Sequence, residues 1–419
     1  LNPAGALRRR LGDALLVVAL ACVAVLTLTP TPGSEAGPRF AVLGSLADLL
    51  RNLALFVPAG AALALRGAPA RLAWRGGLAL AIGIELAQLA IPGRATSPDD
   101  ALANALGAGL GHAWVTSAPR WLRPAPAAAR RLELAACAVF AAAVVLTGVL
   151  TQPALPPLPW HAHWNPSVGS LVPYAGPVRG AALAGQPLPH GALLDPAAAR
   201  EALLAGRPLR VRVTASGAAS GFQAIFLVTD AKEEEVALLG LSGDDLVYRS
   251  RSRARAVSLE SSVLRAAGLG LREAAAPTVL LSVERDGLTR CLAQGERRVC
   301  GLGFRAGSGW TLLLPVLALP ARLDPLLDLA WLALLALPVG LWWRLDWASL
   351  LATAAATAAL VGVPLLGWLA PTPLEQALAA AAGFGLGAGL ARLSDGGRPP
   401  RGPAGRTPAG RTSPARGSP

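Results

Sequence analysis

Apolar residues follow two different patterns along the chain. In the first they run in blocks of about twenty, the length needed for a helix to cross a bilayer. Such blocks predict spans at roughly 11–29, 45–65, 75–91, 99–117 and 132–150, and again at 323–343, 347–368 and 373–391. In the second, 152–320, apolar and polar residues alternate between turn signals. LRVRVTAS, FQAIFLVTD, EVALLGLSG, DLVYRSRS and TVLLSVERD read as strands of period 2, and their even spacing suggests a β-sandwich. After about 394 the chain is mostly Gly, Pro, Arg, Ser and Thr, a composition that buries no core and predicts disorder.

The expected fold is a polytopic α-helical membrane protein of about eight transmembrane helices with an inserted all-β sandwich domain outside the membrane. It divides into a four-helix membrane unit at 8–117, a loop and fifth helix at 118–151, the sandwich at 152–320, three further helices at 321–393 and a tail at 394–419.

Composition supports this reading. Of 419 residues, 53% are hydrophobic and only 15% charged, with mean hydropathy +0.48. Soluble domains usually carry about 25% charge. The net charge of +13 would suit a nucleic-acid partner, but the arginines flank apolar blocks or sit in the tail. Arg8, Arg9, Arg10, Arg66, Arg71, Arg75, Arg120, Arg123, Arg130, Arg131 and Arg344 fall on one side if the spans alternate. By the positive-inside rule that side is the cytoplasm. Both termini are then expected inside and 152–320 outside the cytoplasmic membrane. The first block is expected to be a retained anchor, because Thr29-Pro30-Thr31-Pro32 offers no small-residue cleavage site. Cys22 and Cys137 fall inside spans, where a thiol is a small apolar group. Cys291 and Cys300 flank a turn in the external domain, where an oxidising environment favours a disulfide.

Ionisable residues inside spans are costly, so they are functional or paired. Asp48, Asn52, Phe56 and Gly60 step by four along the second block, with Arg51 and Pro58 among them. Glu85 and Gln88 share a face near the end of the third, followed by Arg94. Asp100, Asn104, Gly107 and Gly111 form a stripe on the fourth. With alternating spans all three groups lie near the outer leaflet, which suggests a polar headgroup pocket. Blander readings compete. Ser45-x-x-Asp48 and Ser97-Pro98-Asp99-Asp100 are good helix starts, so Asp48 and Asp100 could serve as caps alone. Glu85 could pair with Arg51 or Arg94 only to lock the bundle. Gln88, Asn52 and Asn104 could be interhelical glue, and the glycines serve close packing. His112 reads as a packed or snorkelling residue.

The run DLLRNLALFVPAGAAL, then GIELAQLAIPGRATSPDDALANALGAGLG, resembles the VanZ-like family of bacterial membrane proteins. The resemblance covers roughly 11–117. It rests on Asp48, Asn52, Phe56, Pro58, Gly60, Glu85, Gln88, Arg94, Asp100, Asn104, Gly107 and Gly111. It implies a cell-envelope role and, by way of VanZ itself, a link to low-level teicoplanin resistance. It implies no settled reaction.

The segment 152–320 resembles the concanavalin A-like or laminin G-like jelly rolls fused to some members, through VPYAGPVRGAALAGQPL, the strands around AIFLVTD and EVALLGLSG, and TVLLSVERDGLTRCLAQGERRVC. That implies a possible glycan partner, although fold does not fix function. Trp160, His161, His163 and Trp164 follow the fifth span. They read as an interfacial anchor, with sugar stacking and His-x-His metal ligation as the sharper alternative. Trp342, Trp343 and Trp347 resemble a cytoplasmic belt. GFGLGAGLAR at 383–392 is close-packing glycine, since a phosphate loop needs a preceding strand and a Lys-Ser/Thr.

Three functions follow. The bundle binds or shields a lipid headgroup or a lipid-linked cell-wall precursor, with Arg51 and Arg94 on phosphate and Asp48, Asn52, Gln88, Asp100 and Asn104 orienting polar atoms. Alternatively it is a membrane enzyme with Glu85 as acid or base, assisted by Asp100. A transporter is disfavoured, because transport sites sit at the midplane. The first reading leads; no cofactor, metal or nucleic acid is expected.

Overall fold

A computed structural model describes residues 3–29, 39–40, 45–91, 95–168, 171–216, 221–271 and 277–395. The expected disordered tail beyond 395 and Arg94 lie outside the described residues.

The helices of the first bundle are α1 (Pro3–Leu28), α2 (Leu46–Leu65), α3 (Ala70–Gln88) and α4 (Pro98–Thr116). Two short parallel strands, β1 (Arg39–Phe40) and β2 (Ala95–Thr96), join the loops before α2 and α4. A short α5 (Ala118–Leu122) leads to α6 (Pro126–Leu150). After the β domain come α8 (Asp324–Trp342), α9 (Trp347–Leu365) and α10 (Leu374–Asp395), with α7 (Pro196–Leu204) lying inside that domain. All eight predicted long helices form. Six are long and apolar enough to cross a membrane: α1, α2, α6, α8, α9 and α10. The other two, α3 and α4, fall short on composition. α3 starts earlier than expected and takes in Arg71 and Arg75, and α4 opens on Asp99 and Asp100.

Glycines set the helix crossings. A Cβ on Gly107 would lie 2.1 Å from the Leu53 carbonyl oxygen, and one on Gly111 would lie 1.9 Å from that of Val57. A Cβ on Gly60 would lie 1.8 Å from the Ala108 oxygen. α2 and α4 therefore run parallel with backbones in contact, while α3 runs antiparallel alongside α4, its Gly77 against Ala108 and its Trp74 against Gly109. Phe56 is fully buried where these helices meet, with Val23, Ala81, Ile84 and Ala101 around it.

The second bundle, α6 with α8–α10, repeats this crossing contact for contact. A Cβ on Gly383 would meet the Ala333 oxygen, one on Gly387 the Leu337 oxygen and one on Gly340 the Phe384 oxygen, at 2.0, 2.1 and 1.9 Å. Each of these contacts sits at one fixed offset from its partner in α2 and one fixed offset from its partner in α4. The same offsets pair Asp48 with Asp328, Pro58 with Pro338 and Asp100 with Gln376.

The helix ends sort into two levels. At one, Arg8 donates to the Ala64 oxygen at 2.9 Å, Arg66 pairs with Asp13, and His112 Nε2 lies 2.9 Å from the Ala68 oxygen. At that level Arg130 also meets Asp346 at 2.6 Å, and Trp342 donates to the Trp121 oxygen. At the other, Gln88 donates to the Thr27 oxygen and Gln152 to the Trp368 oxygen. The β domain joins the second level.

Its strands are β3 (Trp160–Trp164), β4 (Val178–Leu183), β5 (Gln186–Pro187), β6 (Gly191–Ala192), β7 (Leu209–Thr214), β8 (Phe222–Asp230), β9 (Glu235–Ser242), β10 (Asp245–Ser250), β11 (Val263–Ala266), β12 (Thr278–Asp286), β13 (Thr289–Gln294) and β14 (Arg297–Leu302). They form two six-stranded antiparallel sheets, ordered β11-β10-β9-β8-β3-β6 and β14-β13-β12-β7-β4-β5. Trp160, Phe226 and Leu246 of the first pack with Val211, Leu281 and Leu292 of the second in one core. β7 and β12 show the predicted alternation, but β8 and β9 are buried on both faces. Val168 and Leu171 cover their outer side over Ala224, Leu227 and Leu238. Cys291 and Cys300 are bonded across the β13–β14 hairpin. The last strand ends at Leu302, and residues 303–323 form short 3-10 turns. The turn Ala306–Leu312 is buried against the second bundle, where Trp310 donates to Asp328.

Candidate functional site

The N-terminal end of α2 is built by a capping box. The Ser45 hydroxyl accepts from the Asp48 N–H at 3.0 Å, and the Ser45 N–H donates to Asp48 Oδ2 at 3.1 Å. Asp48 thus caps its helix, and its second oxygen meets the Arg51 guanidinium. Arg51 reaches further. Its Nη1 donates to Glu260 Oε1 at 2.7 Å and to the Leu313 oxygen at 3.0 Å. Ala47 N–H donates to the Ser258 oxygen at 3.2 Å, and the Ala47 side chain is buried with Ala254, Leu259 and Leu312. Arg51 therefore clamps α2 to the β domain. Glu260 carries no local sequence signal, because its role exists only once the two parts dock.

The α4 start differs from its predicted form. The Ser97 side chain makes no cap bond; instead the Ser97 N–H donates to Glu85 Oε2 at 2.8 Å. A carboxylate on a neighbouring helix thereby fills the anionic place at an N-terminus. Asn52 hydrogen-bonds to Asp100, and both Asp48 and Glu85 lie close enough to interact electrostatically with Asp100. Gln88, buried, ties α3 to the end of α1 through the Thr27 oxygen. Asp48, Arg51, Asn52, Glu85 and Asp100 thus gather at one end of the bundle. Asn104 lies one turn deeper and is 1% exposed. Among the described residues, its Oδ1 and the Ser97 Oγ are buried without a hydrogen-bond partner. Buried polar atoms normally find one, which sets these two apart from their neighbours. Beside this end an apolar groove of about 240 Å³ runs between α2 and α8. Leu50, Ala54, Leu327 and Leu334 line it, with Arg51 in its wall.

Two expectations need correction. Trp160 is neither an interfacial anchor nor a sugar platform: it is fully buried in the sandwich core, its indole N–H donating to the Pro157 oxygen. A Trp beside a span reads alike in either setting until β3 is seen to pair with β8. His163 meets Thr229 Oγ1 at 3.0 Å and the ring of His190 edge-on, a packed arrangement. Burial, then the nearby His190 and His161, hold its pKa below the ordinary value.

The pattern of spans also concealed Glu133. It is fully buried on α6, its Oε2 accepting from the Ser349 hydroxyl of α9 at 2.8 Å while Oε1 has no partner among the described residues. An acid inside the apolar run RRLELAACAVF was the available signal.

Residues 16–118 match the VanZ/LLP1 family model. No curated protein and no solved structure matches the chain. The matched segment takes in the second half of α1 and all of α2–α4, with the capped α2 start, the Glu85–Ser97 bond and the glycine crossing. The chain therefore carries a VanZ-like domain within a multi-helix membrane protein that also holds a two-sheet β domain.

Proposed function

We propose that the VanZ-like bundle binds the polar headgroup of an envelope lipid or lipid-linked cell-wall precursor at the outer leaflet. The observation that carries this reading is the pair of unpartnered buried oxygens, Asn104 Oδ1 and Ser97 Oγ, beside Asn52, Glu85 and Asp100. A headgroup bearing hydroxyl or amide donors would satisfy both. The apolar groove beside Arg51 would take part of an acyl chain. Acid–base catalysis by Glu85 is the weaker reading, because its Oε2 already holds the α4 backbone.

The placement rests on sidedness. α4 lies parallel to α2 along its length, and α3 runs back beside α4. Helices of 19 or 20 residues reach about 30 Å. All eight long helices then cross, with Leu78, Ile82, Leu106 and Leu110 on the exposed faces of α3 and α4. Removing both from the count leaves the parity unchanged. The arginines between spans sit at the level opposite the β domain, so that level is cytoplasmic and the domain is outside. The sandwich then faces the envelope, where a jelly-roll-like module suits glycan contact. Shielding a lipid-linked precursor would lower its access to a teicoplanin-type glycopeptide.

The test is native mass spectrometry of the detergent-purified protein, wild type beside Asn104→Leu. A specific lipid in the wild type, lost in a variant of unchanged melting temperature, is expected. The absence of a specific lipid from the wild type would overturn the reading.

A further inference from the structure

A second cleft, of about 270 Å³, opens where the β domain rests on the second bundle. Its walls come from β10, the β12–β13 hairpin, the end of α6 at Thr151–Pro153 and the α9–α10 connection at Gly367–Ala370. Three arginines line it, Arg253, Arg285 and Arg290, and no aspartate or glutamate does.

Four other arginines of the domain are paired. Arg249, Arg251, Arg265 and Arg298 each meet a carboxylate: Glu235, Glu234, Asp324 and Glu284 respectively. None of the three in the cleft does so among the described residues. Arg285 spends Nε on the carbonyl of its own turn, Gly287, at 2.7 Å. Arg290 lies over the Tyr248 ring, 5.2 Å from its centroid. Arg285 and Arg290 are also direct cross-strand partners in β12 and β13. Like charges placed directly opposite destabilise a sheet, so this pair costs stability unless an anion sits between them. Ser262 Oγ, in the same wall, is buried without a partner among the described residues. Leu288 and Trp368 give the cleft an apolar margin beside the helix ends.

We propose that this cleft is a phosphate-binding site, with the Arg285–Arg290 pair and Arg253 holding the anion and Ser262 donating to it. Guanidinium groups suit phosphate because charge and fork geometry act together. The source we assign is the headgroup of an anionic phospholipid, since the cleft abuts the outer ends of α6 and α9. That assignment rests on the outer-leaflet placement proposed above; free phosphate offers the same chemistry without the chain.

The test uses the full chain in detergent, scored by native mass spectrometry. Phosphatidylglycerol, phosphatidylcholine and inorganic phosphate are each added to the wild type, to Arg285→Gln/Arg290→Gln and to Arg285→Lys/Arg290→Lys. The wild type is expected to bind phosphatidylglycerol over phosphatidylcholine. The Gln variant should lose about tenfold or more in affinity with its melting temperature held or raised, while the Lys variant stays within a few-fold. If the Gln variant does not fold, the exposed Arg253→Gln carries the same expectation of weakened binding. Inorganic phosphate competing as well as the lipid would overturn the lipid assignment. Phosphatidylglycerol binding that is equal in wild type and Gln variant would overturn the site. Asn104→Leu run in parallel separates the two proposals. Lipid lost there but indifferent to the arginines sinks the cleft and leaves the first reading standing; the converse sinks the first alone.

Discussion

Arg51 of α2 and Glu260 of the β domain meet at 2.7 Å, and the same guanidinium nitrogen also holds the Leu313 carbonyl. One residue thus ties the VanZ-like bundle to the sandwich and to the segment that leads back into the membrane. The two side chains are 25% and 31% exposed, so salt screens them less than a surface pair. Arg51→Ala should destabilise the protein by about 1.5–3 kcal/mol, the range for hydrogen bonds to charged groups. A double-mutant cycle with Glu260→Ala, read by thermal unfolding in detergent, should be clearly non-additive. Additive losses would show that the clamp carries no coupling.

The glycine crossings predict a paired result. Gly107→Ala or Gly111→Ala forces a methyl into a backbone carbonyl about 2 Å away, and so do Gly383→Ala and Gly387→Ala in the second bundle. Each should lower the melting temperature sharply and disturb the elution profile of the purified protein. Gly83 on α3 is the control, since a Cβ there meets nothing within 4 Å. Gly83→Ala should be neutral, or stabilising by up to about 1 kcal/mol through helix propensity. Equal behaviour at Gly83 and Gly107 would contradict the crossing.

His163 gives the β domain a pH dependence of definite sign. Burial and the neighbouring His190 and His161 depress its folded pKa below 6.5. The unfolded chain then binds the extra proton first. The contribution to stability is whole above 6.5 and is lost as pH falls through the depressed folded value. Melting curves at a series of pH values should show wild type losing more stability on acidification than His163→Asn. Parallel curves would remove this histidine from the account.

The helices were legible because span length and apolarity are local properties. The steps from Asp48 to Asn52 and from Asp100 to Asn104 placed polar atoms on faces that do come together, as the Asn52–Asp100 bond shows. The partners that close the site were not legible. Glu260 and Leu313 reach Arg51 only through docking of distant segments, and Ser97 gives its N–H to Glu85 because α3 lies beside it. Burial of β8 and β9 on both faces hides alternation, since a covering loop makes both sides apolar. The repeat of α2 and α4 in α8 and α10 left its marks in Pro338, Gly340, Gly383 and Gly387. It was hidden by the intervening β domain and by polar positions turned apolar, as where Asn104 corresponds to Ala380.

Glu133 and Ser349 offer the sharpest test of the second bundle. α6 and α9 run parallel there: Arg130 meets Asp346, and Glu133 meets Ser349 one turn on. The Glu133 carboxyl is fully buried with a single donor, while its second oxygen has none. Removing that donor costs more than an ordinary hydrogen bond, because the acceptor stays buried and unmet. Ser349→Ala should therefore destabilise by about 1–3 kcal/mol. Glu133→Leu in the Ser349→Ala background should recover much of the loss, since both polar partners are then gone. Thermal unfolding of the two single variants and the double, in one detergent, decides it. A double variant less stable than Ser349→Ala alone would mean that Glu133 has a second partner or a ligand, and its unpartnered oxygen would become the next site to probe.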